Sequence, residues 1–379
     1  MDPSDFSDIL AGTREFIRAE VMPRETELDE SDEMPQALRE QAARMGLFGF
    51  ALPEEYGGLG LSMSEEVELV FELAYGAVAF RSMFGTNNGL AGQILVMAGT
   101  EEQKTRYLPG IASGKLIASF GLTEPDAGSD PSAMTTCAQC DGQDYLITGT
   151  KRFITNAPAA DLFMIFARVG EGSTGNRGIS VFAVPAKTAG LTVGQKDRKM
   201  GQGGSLTSEV YLDAVRVGPD AVIGGDEGYR IAMSSLARGR LHVAAVCTGM
   251  MRRLLDESVE FATGRSQGGK VIAEHQLIQA MLADSATELY AAESMVRRAA
   301  DEYDAGTDTK LAPAMAKYYA SEAVGRVADR AVQIHGGMGY MRGVAVERLY
   351  RDARLFRIYE GTSQIQQLII GRGVARGRR

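Results

Sequence analysis

The spacing of apolar residues changes twice along the chain, and these two changes limit the folds that the chain can adopt. Residues 1–117 and 230–379 repeat apolar side chains every three or four positions, which is typical of amphipathic helices. Residues 118–229 contain short β-type runs such as 162–167 and 179–184, separated by turn residues. We therefore predict an α+β multidomain chain with an N-terminal all-α domain (1–117), a middle β domain (118–229) and a C-terminal α-helical domain (230–379).

Composition and charge narrow the class of function. The chain has 379 residues, of which 45% are hydrophobic and 23% charged, as expected for globular domains with a large core. Its 40 basic and 49 acidic side chains give a net charge of −9. This disfavours a nucleic-acid-binding protein, because such proteins use basic surfaces to contact phosphate. No run of 18 apolar residues and no targeting peptide occur, so we expect a cytoplasmic protein without a membrane partner.

Common cofactor and metal motifs are missing from the sequence. No Gly-x-Gly-x-x-Gly dinucleotide-binding string occurs, and the glycine-rich string 110–115 is one residue too short for a phosphate-binding loop. Cys137 and Cys140 lie in a run typical of a strand, at a spacing that would direct their thiols to opposite faces. The three histidines are far apart in the sequence. We therefore predict no metal site and no glycine-rich nucleotide fold.

Three separated strings indicate a different chemistry. They cover residues 120–130 (FGLTEPDAGSD), 149–156 (GTKRFITN) and 359–366 (YEGTSQIQ). Each string alone is compatible with an ordinary glycine-rich loop, strand end or helix cap. Their occurrence together, in this order within and after the β-type segment, favours one shared functional site.

With these strings, the chain resembles the acyl-CoA dehydrogenase family over essentially its whole length. Further matching pieces are residues 52–60, 99–104, 333–340 and 351–354, together with Arg240. The resemblance implies an N-terminal helical domain, a middle β-barrel-like domain and a C-terminal four-helix bundle. It also implies non-covalently bound FAD in a homo-oligomer, typically a homotetramer.

The family's reaction is the α,β-dehydrogenation of an acyl thioester, in which a base removes a proton from Cα while a hydride leaves Cβ for flavin N5. A thioester α-C–H is a weak acid, so the base must be desolvated and the enolate stabilised. Glu360 follows an apolar and aromatic run, 355–359, which suits a dry pocket. Some relatives place the base just before the residue that matches Arg240, but Gly239 stands there in this chain. We therefore expect Glu360 to be the catalytic base.

The resemblance also implies which other residues bind FAD and the acyl-CoA. Those expected at the isoalloxazine ring are Phe120, Leu122, Thr123, Phe153 and Thr155. Those expected at the adenosine half are Thr362 and Gln364, and those expected from a neighbouring subunit at the pyrophosphate and adenine are Arg265, Gln333, Gly336 and Gly337. Ser129 is expected to contact FAD or the pantetheine arm of the substrate, and Arg240 and Gly361 are expected to bind substrate.

The chain departs from the usual family pattern at the flavin. Most relatives have tryptophan in the second string, where this chain has Phe153, and the chain contains no tryptophan at all. Phenylalanine keeps an aromatic surface but offers less area and no indole N–H. We therefore expect a flavin face that is less covered than in most relatives, and flavin absorbance without tryptophan emission.

Several functions stay open for a chain of this kind. The first is an acyl-CoA dehydrogenase of fatty-acid β-oxidation that passes electrons to an electron-transfer flavoprotein. The alternatives are a dehydrogenase of acyl groups bound to a carrier protein and a flavin monooxygenase on the same fold. Glu360 disfavours the monooxygenase, which needs no carboxylate there, but it does not separate the other two. Acyl chain length depends on the small-residue stretch 85–99, whose glycines either leave room for substrate or allow close helix packing.

Overall fold

The N-terminal region is helical, as its apolar spacing predicts. The computed structural model describes residues 1–170 and 173–377, so residues 171–172 of the predicted middle domain and 378–379 of the predicted C-terminal domain lie outside it. The α-helices of this region are α1 (Pro3–Phe16), α2 (Glu25–Ser31), α3 (Gln36–Arg44), α4 (Met63–Leu73), α5 (Val78–Thr86), α6 (Gly92–Ala98) and α7 (Glu101–Ala112). A π-helical turn, Asn87–Ala91, joins α5 to α6.

Local sequence explains where two of these helices begin. Ser62 and Glu65 form a capping box at α4, in which each side chain accepts a hydrogen bond from the other residue's backbone N–H. Thr100 and Gln103 do the same at α7. Both pairs satisfy N–H groups that a helix end would otherwise leave unpaired.

The middle region forms one sheet. Its strands are β1 (Ala118–Gly121), β2 (Cys137–Asp141), β3 (Asp144–Thr155), β4 (Leu162–Val169), β5 (Ile179–Pro185), β6 (Leu191–Val193), β7 (Thr207–Val217) and β8 (Val222–Ile223). The neighbour order is β6-β7-β3-β2-β4-β5-β8, and β1 pairs with β4 in parallel. Within the described residues β6 and β8 are edges, so this barrel-like sheet is open.

Strand β4 separates two cores because its side chains alternate between the faces of the sheet. Leu162, Met164 and Phe166 pack with residues of α6 and α7 and with the beginning of the C-terminal region. Phe163 and Ile165 belong to the other core, which lies among the strands. The face of the sheet that carries Leu162, Met164 and Phe166 therefore packs on the helices.

The C-terminal region is again helical. It contains α8 (Gly228–Gly264), a short hairpin of β9 (Ser266–Gln267) and β10 (Lys270–Val271), then α9 (Gln276–Asp304), α10 (Leu311–His335), α11 (Ala345–Ala353) and α12 (Ser363–Ala375). The long helices α8, α9 and α10 share one core, which α4 of the N-terminal region also enters. Helix α12 packs on α10.

The predicted fold class is confirmed, with helices, a β-sheet and helices in that order. The predicted hairpin at Asp141–Asp144 is present, since these two residues pair at the end of β2 and β3. No helix among residues 1–170 and 173–377 is long and apolar enough to cross a membrane.

Candidate active site

The first two sequence motifs meet at the sheet. The N–H of Arg152 donates a hydrogen bond to the carbonyl of Thr123 (2.8 Å). Lys151 Nζ donates to the carbonyl of Leu122 (3.3 Å) and pairs with Glu124 Oε1 (2.8 Å). Lys151 and Glu124 are both buried, so this ion pair holds the first motif against β3 from inside the protein.

Both members of this pair are charged near neutral pH. Burial raises the pKa of Glu124, but the charge of Lys151 and hydrogen bonds from Thr135 and Thr136 outweigh it and lower the pKa to about 2. Burial lowers the pKa of Lys151 to about 8, against the attraction of the carboxylate. The sequence motifs contain both residues, but nothing in their spacing indicates that they pair.

Phe153 lies in a β-bulge. The pairing of β3 with β7 shifts register between Lys151 and Ile154, and Phe153 has a φ of +57°. Its side chain is 62% exposed, with the Arg152 guanidinium 4.7 Å from the ring centroid. A non-glycine residue at positive φ in a bulge is costly, and such strain concentrates at functional sites. The bulge thus leaves most of the Phe153 ring exposed, with Arg152 beside it.

The other predicted ring contacts differ in exposure. Phe120 is half-buried, with its ring centroid 5.1 Å from that of Phe166. Leu122 is buried, and Thr155 is half-buried with its carbonyl accepting a hydrogen bond from Ser119 Oγ (2.9 Å). Ser129 is exposed, on the loop between β1 and β2.

The third motif forms a turn of uncommon geometry. Glu360 has a φ of +52° and Gly361 a φ of +89°, so two consecutive residues are in the left-handed region. Thr362 then caps α12 by accepting a hydrogen bond from the N–H of its third residue (3.2 Å). The Gly361 carbonyl accepts from Lys317 Nζ (2.7 Å) and from Gln366 Nε2 (2.9 Å). These two donors offset the strain and fix where the Glu360 side chain leaves the backbone.

The carboxylate of Glu360 occupies space that a glycine leaves free. Glu360 as a residue keeps some exposed surface, but its Oε2 atom is enclosed and has no hydrogen-bond partner among the described residues. A Cβ at Gly239 on α8 would overlap this oxygen and would lie 3.0 Å from Leu90 Cδ2. An enclosed polar atom without a partner is rare in proteins and suits a group that acts on a substrate.

Three cations surround the Glu360 carboxylate. Burial raises its pKa, while the charges of Arg81, Lys317 and Arg240 act in the opposite direction. Arg240 is buried, its Nε has no partner among the described residues, and burial lowers its pKa against the charge of Glu360. The result is a carboxylate of raised basicity that still has cations beside it to stabilise its ionised form.

Residues 83–91 connect the two halves of the site. Asn87 Oδ1 accepts a hydrogen bond from the N–H of Ala118 on β1 (2.6 Å), and Asn156, which follows β3, donates to the carbonyl of Met83 (3.1 Å). A few residues on, Leu90 lies against Gly239 beside Glu360. The segment thus brings the sheet motifs and the Glu360 turn to one region.

Four predicted residues lie elsewhere in the chain. Arg265 follows the last residue of α8, about 37 Å along the helix from Arg240. Phe261 stacks on His335 (4.3 Å), which brings the end of α8 to the end of α10. The four residues at these ends are all exposed: Arg265, Gln333, Gly336 and Gly337. They form a second cluster that does not reach the Glu360 carboxylate of the same chain.

Sequence reasoning found Arg240 but missed the other two cations beside Glu360, Arg81 and Lys317. Arg81 lies between Phe80 and Phe84 on a buried helix face, and Lys317 is fully buried within the apolar pattern of α10. A charged residue on an apolar helix face is a signal that could have found both. Gln366 gave no such signal, because its role depends on the geometry of the turn.

These residues fit a flavin. Phe153 offers an exposed aromatic ring two residues before Thr155, and Arg240 Nε beside Glu360 has no hydrogen-bond partner among the described residues. The exposed Arg265 supplies a guanidinium of the kind that pairs with a pyrophosphate. No group of three or more His, Cys, Asp or Glu side chains suited to a metal ion occurs in the part of the chain that the structure describes.

Comparison with known proteins identifies one enzyme family along almost the whole chain. Models of the acyl-CoA dehydrogenase N-terminal, middle and C-terminal domains match residues 4–115, 119–215 and 226–375. The chain is 42% identical over 345 residues to the caffeyl-CoA reductase–Etf complex subunit CarC of Acetobacterium woodii, with 91% of each chain covered.

Solved structures agree with these matches. Butyryl-CoA dehydrogenase from Megasphaera elsdenii is 34% identical with a TM-score of 0.94, covering 98% of both chains. A glutaryl-CoA dehydrogenase from Mycobacterium smegmatis in complex with FADH2 is 30% identical with a TM-score of 0.93, covering 100% of this chain and 96% of that one. The protein therefore belongs to the acyl-CoA dehydrogenase family, and is an FAD-dependent oxidoreductase that acts on acyl-CoA.

Proposed function

We propose that this protein converts an acyl-CoA to the 2-enoyl-CoA, with Glu360 as the base that removes the Cα proton. The observation that carries the proposal is the enclosed Oε2 of Glu360, which has no partner in the described residues and lies in the gap left by Gly239. Burial raises the pKa of this carboxylate, and a more basic carboxylate is better matched to a weak carbon acid.

The chain's own groups can also orient the thioester. The backbone N–H of Glu360 makes no hydrogen bond to another backbone group of the described residues, so it is available to the thioester oxygen. Such a donor stabilises the negative charge that develops on this oxygen when the proton leaves. Bound FAD supplies the acceptor for the hydride that leaves Cβ. Arg240, Ser129 and Gly361 are proposed to bind the acyl-CoA.

Anaerobic mixing with acyl-CoA thioesters of different chain lengths tests this function. We expect at least one thioester to bleach the bound flavin and to yield the 2-enoyl product. The same acyl groups on a phosphopantetheine carrier protein distinguish the carrier-protein alternative. Absence of bleaching by every thioester, together with substrate-dependent oxygen consumption, would contradict the proposal and favour a monooxygenase.

The reverse reaction is a second candidate. The relative from Acetobacterium woodii is named a caffeyl-CoA reductase, and a site that takes a proton from Cα can also return it. Reoxidation of the reduced flavin by a 2-enoyl-CoA, measured beside bleaching by the saturated thioester, decides which direction is faster. That relative is part of a complex with Etf, which supports an electron-transfer flavoprotein as the electron carrier of this protein too.

The exposed cluster at the ends of α8 and α10 supports a homo-oligomer, which we propose to be a homotetramer. Arg265 and Gln333 lie too far from Glu360 to serve the same active site, but their exposure leaves them available to the FAD of a neighbouring subunit. FAD retention would then depend on assembly. Arg265→Ala should lower both the FAD content and the tetramer fraction in size-exclusion chromatography.

Gly239→Ala should displace the Glu360 carboxylate. The new methyl group would overlap Oε2, and the neighbouring Leu90 leaves it no room on the other side. Because a misplacement of about 1 Å can cost about 100-fold in rate, we expect a loss of that order in anaerobic flavin reduction. Gly12→Ala, at an exposed position of α1 where a Cβ would meet nothing within 4 Å in the described residues, serves as the control. Equal rates in both variants would contradict the crowding at Gly239.

Gly89→Leu should shift the preference towards shorter acyl chains. Gly89 is buried, yet a Cβ there would meet no atom of the described residues within 4 Å beyond its own stretch of helix, so it borders an internal space next to Leu90. In contrast, a Cβ at Gly92 would lie 2.9 Å from Leu52, which makes Gly92 a packing glycine. We expect flavin reduction by long-chain thioesters to slow by about tenfold, because a mismatch of one methylene group in an apolar pocket changes kcat/KM by about that factor. The exposed Gly12→Leu variant is the control and should keep the wild-type chain-length profile. The same unchanged profile in Gly89→Leu would exclude Gly89 from the acyl pocket.

A further inference from the structure

A hydrogen-bonded chain of three buried side chains leads towards Glu360. Glu66 on α4 accepts from His242 Nδ1 (2.7 Å), and His242 Nε2 accepts from Arg81 Nε (2.6 Å). The exposed fractions are 0% for Glu66, 4% for His242 and 5% for Arg81. The mechanism proposed above uses none of the three directly.

The hydrogen bonds define the state of the histidine. Since Arg81 can only donate, His242 Nε2 must accept, which leaves the proton on Nδ1 for Glu66. Burial, with the charge of Arg81, lowers the pKa of His242 to about 4, although Glu66 acts in the opposite direction. His242 is therefore neutral near pH 7. Its hydrogen bond to Glu66 fixes the orientation of the ring, and the ring in turn fixes the position of the Arg81 guanidinium.

The surroundings restrict Arg81 to this position. The ring of Phe50 stacks on His242 at 6.0 Å with an angle of 5° between the planes. Gly85 leaves room for the guanidinium, because a Cβ there would lie 3.2 Å from Arg81 Cζ and 3.3 Å from His242 Nε2. Glu66 is held in turn by an ion pair with Arg238. The terminal nitrogens of Arg81 have no hydrogen-bond partner among the described residues.

We propose that Glu66 and His242 are positioning residues that hold the charge of Arg81 beside the Glu360 carboxylate, and so set the pH at which the base is ionised. This inference rests on the proposed role of Glu360 as base. The charged groups that face Glu360 are Arg81 on α5, Lys317 on α10, Arg240 on α8 and Glu66 on α4. Gly239, which lies against Glu360 Oε2, is three residues before His242 on α8, so the His242–Arg81 pair lies about one helical turn from the carboxylate.

The sign of the effect follows from the charges. A cation beside a carboxylate stabilises its ionised form and lowers its pKa, so loss or misplacement of Arg81 raises the pKa of Glu360 further. The base must be ionised to take the Cα proton. Flavin reduction should therefore need a higher pH in variants that lack Arg81 or no longer hold its guanidinium beside Glu360.

The test compares His242→Leu with His242→Gln in the FAD-loaded enzyme. Leucine removes both the acceptor for Arg81 and the donor to Glu66, whereas glutamine carries one of each. We expect the acidic limb of the pH profile of anaerobic flavin reduction to move upwards by about one pH unit in His242→Leu, within the range typical of a nearby opposite charge. It should return close to the wild-type position in His242→Gln. A purely structural role would lower the rate at every pH and leave the limb in place, which would overturn the inference.

Arg81 provides the second pair of variants if His242→Leu does not fold. Arg81→Gln should move the acidic limb upwards, and Arg81→Lys should move it less because it keeps the charge. If the wild-type enzyme reduces its flavin normally and the acidic limb of the pH profile does not move in Arg81→Gln, the inference is wrong. The proposed function fails by a different outcome, namely the absence of flavin reduction by any thioester in the wild-type enzyme.

Discussion

Glu360→Gln should abolish flavin reduction by acyl-CoA while FAD and thioester remain bound. Glutamine has nearly the same volume and fits the gap at Gly239, but it cannot take a proton from Cα. General-base catalysis contributes about 100- to 10,000-fold, so we expect a loss in this range or above it. Stopped-flow absorbance of the flavin under anaerobic conditions measures the rate, and a thioester titration measures binding.

A control separates the loss of the base from the loss of a charge. Glu274 is exposed, and Glu274→Gln removes one negative charge far from the enclosed oxygen. This variant should reduce its flavin at the wild-type rate. If Glu360→Gln also does so, another group is the base and the proposed mechanism is wrong.

Lys151→Met should destabilise the protein more than a typical substitution does. It leaves the Glu124 carboxylate buried without its cation, and breaking a buried ion pair in this way costs about 3–5 kcal/mol. The first motif would also lose its tie to β3, so FAD content should fall. The free energy of unfolding in urea, measured at fixed protein and FAD concentrations, tests the expectation.

Two further variants make this test specific. Lys151→Met with Glu124→Gln removes both charges and should recover part of the lost stability. Lys104→Met breaks an ion pair with Glu101, whose side chain is 78% exposed, and should change the stability much less than Lys151→Met does. Equal losses in Lys151→Met and Lys104→Met would contradict the role assigned to the buried pair.

The pH dependence of this variant has a definite sign. The pKa of Glu124 is about 2 in the folded protein, below its ordinary value of 4.5. The stabilisation from this group is therefore present above pH 4.5 and is lost as the pH falls towards 2. The difference in stability between wild type and Lys151→Met should accordingly shrink over that range.

Much of the architecture could be predicted because it follows from local sequence patterns. Periodicity near 3.6 and near 2 separates the helical regions from the sheet, and the turn at Asp141–Asp144 follows from residue types alone. The order of the strands could not be predicted this way. β1 and β2 both pair with β4 in parallel, and such pairings join segments that are distant in sequence.

The same distinction applies to the site. The three strings and the glycine before Arg240 indicate Glu360, FAD and the family, and the comparisons confirm the family and the cofactor. The contacts of Arg81 with His242 and of Lys317 with Gly361 join residues that are 161 and 44 positions apart. No local sequence pattern predicts these two contacts, because they depend on how α5, α8 and α10 pack against the Glu360 turn.

The overlap between position 239 and the Glu360 carboxylate also restricts how such a site can change during evolution. One volume holds one acidic side chain, so a base carried by α8 and a base carried by the turn before α12 exclude each other. A lineage that moves its base from one element to the other must pass through a chain with two carboxylates in that volume or with none. We expect both intermediates to be less active, so positions 239 and 360 form a pair that is expected to change together.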